Sequence, residues 1–597
     1  MGVQKTTKKR TVFTIAFWLV CIAGLGGRLI QLQAILPVAE QKTNSLDERS
    51  ILPRRGAILS RTGMPFALTI DRFDVTANPV AVQDRAQAAA KLAELLRLPK
   101  GEILKKLSKT QIWNPQTRTW GKNHYVMLKE AVPESVAARI RELATPKDKK
   151  LLPELYGIEL RERHRRYYPL RRFAAPLIGY LNDAGQGVAG LEAGYNEELG
   201  GVPGKEIAKR DAKQRPIPGQ WHEVVSPVNG HDLVLTIDDG IQLITERAVE
   251  VAQRKYRPNW MCAIVMRPRT GEVLAMTSKP DFDPNRVTLQ DADAGRTINY
   301  VTRFAYEPGS TFKLITAAAA VERIPTWDVA RYHCEGTRQV GKHSIHCWIY
   351  WLKRRGHGIG GLSDAIKDSC NLIISRFAQE MGGDSFLEYI RNFGFGKPTG
   401  VFGERKDGGV RCREARGLLP PKIERKDPAQ LANISFGQAV MVTPIQLLTA
   451  VCAIANEGVL MKPYLVREIR TSEGDVILRN HPQAVRRVIQ RSTARAVTSF
   501  MVRCVQEGTG QPGAVPGYEV AGKTGTAQKV TKGSKTYAGS AYVSSFVGFL
   551  PARQPQLAIL VVADEPKGSY YGSQVCAPVF REIAEKSMIR LKMTNHQ

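Results

Sequence analysis

One short stretch near the start decides how the rest of the chain can be arranged. Residues 11–27 carry no charge and hold Phe13, Ile15, Phe17, Trp18, Leu19, Val20 and Ile22, directly after Lys5, Lys8, Lys9 and Arg10. Leu29, Ile30, Leu32, Ile35 and Leu36 prolong the apolar character past Arg28. A tilted helix with that arginine snorkelling would reach across a hydrocarbon core of roughly 30 Å. No second run of this kind follows. The pattern predicts one transmembrane helix over 11–36, a cytoplasmic tail over 1–10 by the positive-inside rule, and a bulk that faces outward. A cleaved secretory signal shares the basic head and apolar middle, and it is the alternative. Against it, Gly24-Leu25-Gly26 is only a loose match to a cleavage site, and the apolar character runs on beyond it.

The remainder has the composition of folded domains. Of 597 residues, 43% are apolar and 24% charged, which excludes disordered and collagen-like chains. At about 100 to 200 residues per domain, the length implies roughly two to four domains, each able to bury a core without disulfide staples. With 86 basic against 56 acidic residues, the net charge is +30, so an anionic partner or surface is expected. For an outward-facing chain that means anionic lipid or wall polymer, not nucleic acid.

Along the chain, residues 54–63 read as a strand and turn, and 86–96 and 133–143 as helices with one apolar face. Arg161, Arg163, Arg165, Arg166, Arg171 and Arg172 form a basic cluster, a solvated face or packed turn more readily than an anion site. The polar, proline-containing stretch 210–230 reads as a boundary, dividing an N-terminal domain over 37–230 from a C-terminal one over 231–597. In the latter, 232–237, 261–266, 272–278, 544–550 and 557–563 read as strands, and 240–256 and 578–592 as helices. Strands at both ends with helices between them predict an α+β domain whose sheet is closed by distant parts of the chain.

Chemistry enters at Pro308-Gly309-Ser310-Thr311-Phe312-Lys313, a turn leading into an Ala-rich helix. The spacing puts the Ser310 hydroxyl and Lys313 amine on one face, and a serine needs such a base to act as a nucleophile. The helix N-terminus, or a second cation nearby, would favour the neutral amine. Ser369-Cys370-Asn371 ends a helical pattern over 362–367, and Ala521-Gly522-Lys523-Thr524-Gly525-Thr526-Ala527 follows much later. Gly522 and Gly525 would let a substrate backbone approach a strand closely.

Ser-x-x-Lys, Ser-x-Asn and Lys-Thr-Gly are the motif set of β-lactamases and penicillin-binding proteins. The chain resembles the penicillin-binding transpeptidases over most of its length. It is most similar to class B members of the division or sporulation type, in Arg55-Gly56, Arg61-Thr62-Gly63, Gly190-Leu191-Glu192, Val547-Gly548-Phe549-Leu550-Pro551 and Asp564-Glu565-Pro566 besides the three motifs. The resemblance implies a penicillin-recognising serine transpeptidase domain on an elongated pedestal. It also implies residue roles. Ser310 would attack the penultimate D-Ala carbonyl of a peptidoglycan stem peptide, with Lys313 as base. Ser369 would relay the leaving-group proton and Asn371 hold the peptide amide. Lys523 with Thr524, Gly525 and Thr526 would receive the terminal carboxylate, and the N–H groups of Ser310 and Thr526 would form the oxyanion hole. No cofactor is required for this chemistry, and β-lactam antibiotics would trap the same serine.

The implied setting is the bacterial inner membrane, in septal wall synthesis beside a SEDS-type glycosyltransferase and other divisome proteins, with elongation or sporulation as alternatives. A β-lactamase and a non-catalytic penicillin-binding receptor or scaffold are the rivals. The pedestal and span argue against the first, and intact Ser310, Lys313 and Lys523 against the second. Cys334, Cys347, His357 and Cys370 supply a donor set fit for structural zinc, in an order that also occurs in some class B relatives. A Cys334 to Cys347 disulfide is the alternative in an oxidising compartment. His333, His343 or His346 could replace one ligand.

Overall fold

The computed structural model describes residues 48–115, 117–145, 153–210, 216–404, 411–424, 427–530 and 537–594. The expected tail and span lie outside the described residues. Among the described residues no helix is long and apolar enough to cross a membrane.

One long strand organises the N-terminal part. Pro65–Ala77 pairs antiparallel with Ile158–Tyr167 from Leu68 opposite Tyr167 to Ala77 opposite Ile158, and with Val126–Val132 as well. Helices Arg85–Leu96, Lys100–Leu107 and Glu134–Ala144 bury Leu92, Ile103 and Ile140 in a core of their own with Val75 and Leu128. Asp84 starts the first of them by accepting from the Gln87 N–H.

Most of the basic cluster is paired, while Arg165 and Arg171 stay on the exposed face. Arg163 meets Asp74 and Glu130, and Arg172 meets Asp281. Arg166 and Arg55 each donate through Nε, at 2.7 Å, to one carboxylate oxygen of fully buried Glu192. The Tyr168 hydroxyl donates to the same carboxylate at 3.2 Å. Beside this network a side chain on Gly56 would stand 2.0 Å from the His231 carbonyl oxygen, so glycine lets the strand Ile58–Leu59 lie parallel to Asp232–Leu235. Through that pair the N-terminal sheet continues into Val466–Arg470 and Val476–Arg479.

Part of the stretch read as a polar linker is a strand instead. Pro216–Val225 pairs with Gly204–Arg210, which pairs with Glu48–Ile51. Backbone ladder bonds, which prolines and charges in the sequence do not advertise, hold it there.

The C-terminal part is built on a five-stranded antiparallel sheet in the order Val273–Lys279, Trp260–Met266, Leu557–Asp564, Tyr537–Leu550, Ala521–Val530. Helices Asp239–Tyr256 and Ala577–Thr594 pack on one face around Val249, Phe546 and Phe580. Helix Pro444–Ala455, buried along its whole length, belongs to the larger core on the other side. Its first turn is closed by a capping box between Thr443 and Gln446. The expected mixture of helix and sheet, closed by distant strands, is what the chain adopts.

Candidate active site

Gly309, at φ +56°, turns the chain into a 3-10 segment, Gly309–Phe312, that runs directly into the helix Lys313–Arg323. Ser310 therefore lies in the tight turn before the α-helix, half-buried, while Lys313 opens the helix fully buried. The turn is wedged on two sides. A Cβ on Gly437 would stand 2.2 Å from the Gly309 oxygen, and one on Gly309 would stand 2.9 Å from the Ala527 Cβ.

Ala527 belongs to the strand that carries the third motif, so Ser310 and Lys523 are brought to one place. A side chain on Gly525 would collide with Ser545 Oγ at 2.3 Å and Thr311 Cγ2 at 3.0 Å, and one on Gly522 with the Phe546 ring at 2.7 Å. These glycines make room for protein atoms. That packing role stands beside the substrate approach expected of their bare backbone.

The second motif arrives through Lys313. Its Nζ donates to Ser369 O at 2.6 Å, Asn371 Oδ1 at 2.7 Å and Ser369 Oγ at 3.2 Å. Among the described residues these are its hydrogen bonds, and none joins it to Ser310 Oγ. Ser369 takes a left-handed conformation, φ +56°, which for a non-glycine residue costs on the order of 1 kcal/mol. Asn371 donates from Nδ2 to the His346 carbonyl at 3.1 Å.

Two buried amines dominate the electrostatics. Burial first, and the Lys523 charge second, push Lys313 from 10.5 down to about 7. Burial likewise lowers Lys523, whose Nζ donates to Thr524 O at 3.1 Å and Thr524 Oγ1 at 3.3 Å. Thr526 Oγ1 accepts from the Gly572 N–H at 3.2 Å, which leaves its own proton free to donate. A neutral amine beside a half-exposed hydroxyl, with a second cation behind it, can remove a proton and hold an anionic substrate.

Behind the second motif, one donor atom from each of Cys334, Cys347, His357 and Cys370 lies within 4.8 Å of all the others. Cys347 Sγ is 3.8 Å from Cys370 Sγ, and His357 Nδ1 is 3.4 Å and 3.7 Å from the sulfurs of Cys347 and Cys334. Tetrahedral zinc with Zn–S near 2.3 Å and Zn–N near 2.0 Å needs separations of roughly 3.5 to 3.8 Å, so the donor set fits. All the described cysteines are free, so the alternative disulfide between Cys334 and Cys347 is not formed. His333, His343 and His346 stay outside the group.

A family profile described as "Penicillin binding protein transpeptidase domain" matches residues 261–585, and one described as "Penicillin-binding Protein dimerisation domain" matches 50–235. The chain belongs to the penicillin-binding transpeptidases. It is 32% identical to stage V sporulation protein D of Bacillus subtilis, over 98% of this chain and 86% of that protein. It is 30% identical to the peptidoglycan D,D-transpeptidase FtsI of Escherichia coli, over 95% of this chain and 89% of the relative. The crystal structure of penicillin binding protein 2X from Streptococcus thermophilus shares the fold with a TM-score of 0.77 at 22% identity, covering 91% of this chain and 80% of that one.

Within this penicillin-binding fold, three contributors carry little sequence signal. Thr509 Oγ1 bonds Thr524 Oγ1 at 3.0 Å, and its N–H donates to Lys367 O. The flanking Glu507-Gly508-Thr509-Gly510 turn is the one available cue. His346 acts through its backbone, which no residue identity reveals. Gly437 is legible only once Gly309 is known to lie against it.

Proposed function

We propose that this class B penicillin-binding protein cross-links peptidoglycan stem peptides as a serine D,D-transpeptidase, with Ser310 as its nucleophile. The observation that carries this reading is the buried Lys313 amine, lowered to about 7 and bonded to both polar residues of Ser369-Cys370-Asn371. Lys313 takes the Ser310 proton as Oγ attacks the penultimate D-Ala carbonyl. The N–H groups of Ser310 and Thr526 meet the oxyanion. The C–N bond to the terminal D-Ala breaks, and Ser369 passes a proton to the departing amine. Asn371 holds the peptide amide. Lys523, Thr524 and Thr526 hold the terminal carboxylate, Gly525 keeping their strand against the Ser310 turn. An amine of a second stem peptide then attacks the ester and releases Ser310. A β-lactam stops the cycle at the acyl-enzyme.

In this reading residues 231–597 are the transpeptidase domain, 37–230 its pedestal, and 11–36 a single membrane anchor that leaves 1–10 in the cytoplasm. The uncharged run at 11–27 behind a basic head supports the anchor. The role is septal, beside a SEDS-type glycosyltransferase and other divisome proteins. A sporulation role is the second reading, favoured by the 32% identity to the stage V protein. Cys334, Cys347, His357 and Cys370 hold a zinc ion that braces the wall carrying Ser369 and Asn371 without entering the reaction.

Labelled penicillin should attach to the peptide containing Ser310, and purified protein should join a D-amino-acid acceptor to a stem-peptide donor. An adduct elsewhere, or exchange undiminished in Ser310→Ala, would contradict the assignment. Localising a fluorescent fusion in growing and sporulating cells separates the two roles.

A further inference from the structure

A cleft of about 580 Å³ opens in the transpeptidase part, with no residue of the three motifs in its lining. Its charged lining consists of Arg391, Lys397, Arg416, Lys462 and Arg486, with no aspartate or glutamate among the lining residues. Arg391 and Arg486 donate to the carbonyls of Pro421 and Asn392 and not to a carboxylate. Lys462 is paired at 2.5 Å with Glu404. Lys397 and Arg416 are exposed at the rim, and among the described residues neither has a carboxylate partner. Such a collection of like charges opposes its own assembly unless an anion offsets it.

The site is built rather than incidental. Gln446, 2% exposed, donates from Nε2 to Lys397 O at 2.7 Å and Arg416 O at 2.9 Å, which ties together the two loops bearing the unpaired cations. Glu414 secures one of those loops by accepting from the N–H and hydroxyl of Thr399. One turn beyond Gln446 on the helix Pro444–Ala455, Thr449 lines the cleft with a buried Oγ1 that has no hydrogen-bond partner. A buried hydroxyl without a partner costs about 1–3 kcal/mol, which a ligand oxygen would remove. Phe393, Phe395 and Leu460, all buried, form the apolar floor. The volume is that of a small-ligand pocket.

We propose that this cleft is a second ligand site, for an oxyanion carried on an apolar body, held by Lys397 and Arg416 at the rim and by Thr449 within. For an outward-facing wall enzyme that chemistry has two sources, the phosphates of a lipid-linked precursor and the carboxylates of an uncross-linked peptide.

The test is calorimetric titration at low salt of the full chain in detergent, after Ser310 has been acylated with benzylpenicillin to close the first site. Geranyl diphosphate represents phosphate, and N-acetyl-L-Ala-γ-D-Glu represents carboxylate. At least one should bind, more weakly as salt rises, and the tighter one identifies the source. Binding should fall at least tenfold in Lys397→Glu/Arg416→Glu and at least threefold in Thr449→Val. Lys397→Gln/Arg416→Gln, which changes two exposed side chains without reversing charge, should lie between wild type and the charge reversal. Penicillin acylation at the wild-type rate certifies the fold of each variant. Absence of binding by both probes, or equal binding by wild type and the charge variants, would overturn the proposal. Failure of benzylpenicillin to acylate wild type would instead overturn the assignment of Ser310 and leave the titration of this cleft to stand by itself.

Discussion

If Lys313 is the base, acylation must follow its deprotonation. At an ordinary lysine value of 10.5, about three amines in ten thousand are neutral at pH 7. With the value pushed to about 7, about half are. Burial and the neighbouring Lys523 charge thus raise the reactive population about a thousandfold, equivalent to about 4 kcal/mol. The second-order rate of acylation by a fluorescent penicillin, measured by stopped flow from about pH 5.5 to 9, should climb nearly tenfold per pH unit at the acid end and level off above about 7. Lys523→Gln removes the second-largest cause of the shift and should move the midpoint upward, whatever it does to the plateau. Lys313→Arg, which stays charged, should abolish acylation. The sign for stability is the reverse of the usual lysine case. The folded value lies below the unfolded one, so the penalty is complete below about pH 7 and fades as pH rises toward 10.5. Wild type should therefore gain stability relative to Lys313→Met between pH 7 and 9, as read by urea unfolding. A rate flat across the acid range, or a midpoint above 9, would refute the role given to burial.

Other perturbations test the scaffold. Glu192→Gln strips the carboxylate from two guanidinium groups that are 10% and 5% exposed and should lower stability by about 3–5 kcal/mol. A loss under about 1 kcal/mol by urea unfolding contradicts that. Gly525→Ala places a Cβ 2.3 Å from Ser545 Oγ and should slow penicillin acylation at least tenfold by forcing the strand off the Ser310 turn. Adding Ser545→Gly should restore part of the rate. Phe395→Ala empties the space beside Phe312, whose ring centroid is 5.3 Å away. It should cost about 3–5 kcal/mol in the same unfolding assay. His357→Ala removes one of the four donors proposed to hold zinc, so metal analysis of the purified variant should show a stoichiometry well below that of wild type.

What was legible in the chain is what depends on neighbours in sequence. The turn Pro268-Arg269-Thr270-Gly271 announces the hairpin of Trp260–Met266 with Val273–Lys279, and alternation and periodicity place the helices Asp239–Tyr256 and Ala577–Thr594 to within one or two residues. The candidate site was legible as three motifs but not as a bonding pattern. Lys313 reads as a partner of Ser310, three residues away, yet its hydrogen bonds go to Ser369 and Asn371, which only tertiary folding brings near. The strand Ile158–Tyr167 was opaque for a related reason. Its arginines stand on both faces, so no period of two survives. Pairing with Pro65–Ala77 and ion pairs to Asp74, Glu130 and Glu192 hold it instead.

The dependence on distant pairing is sharpest at Lys523. Among the described residues its strand joins the sheet only through Tyr537–Leu550, with Lys523 opposite Val547, Gly525 opposite Ser545 and Thr526 opposite Ser544. A slip of one residue would turn every side chain to the opposite face, exchanging Lys523 for Thr524 or Gly522 beside Ser310. The same slip would set Thr524 or Thr526 where Gly525 now sits, against Ser545 Oγ and Thr311 Cγ2, a space with no room for a Cβ. The glycine of the third motif therefore excludes the wrong register sterically, and in the right one it lets the strand close on the turn that carries Ser310. One missing side chain thereby ties the placement of the amine to the placement of the hydroxyl.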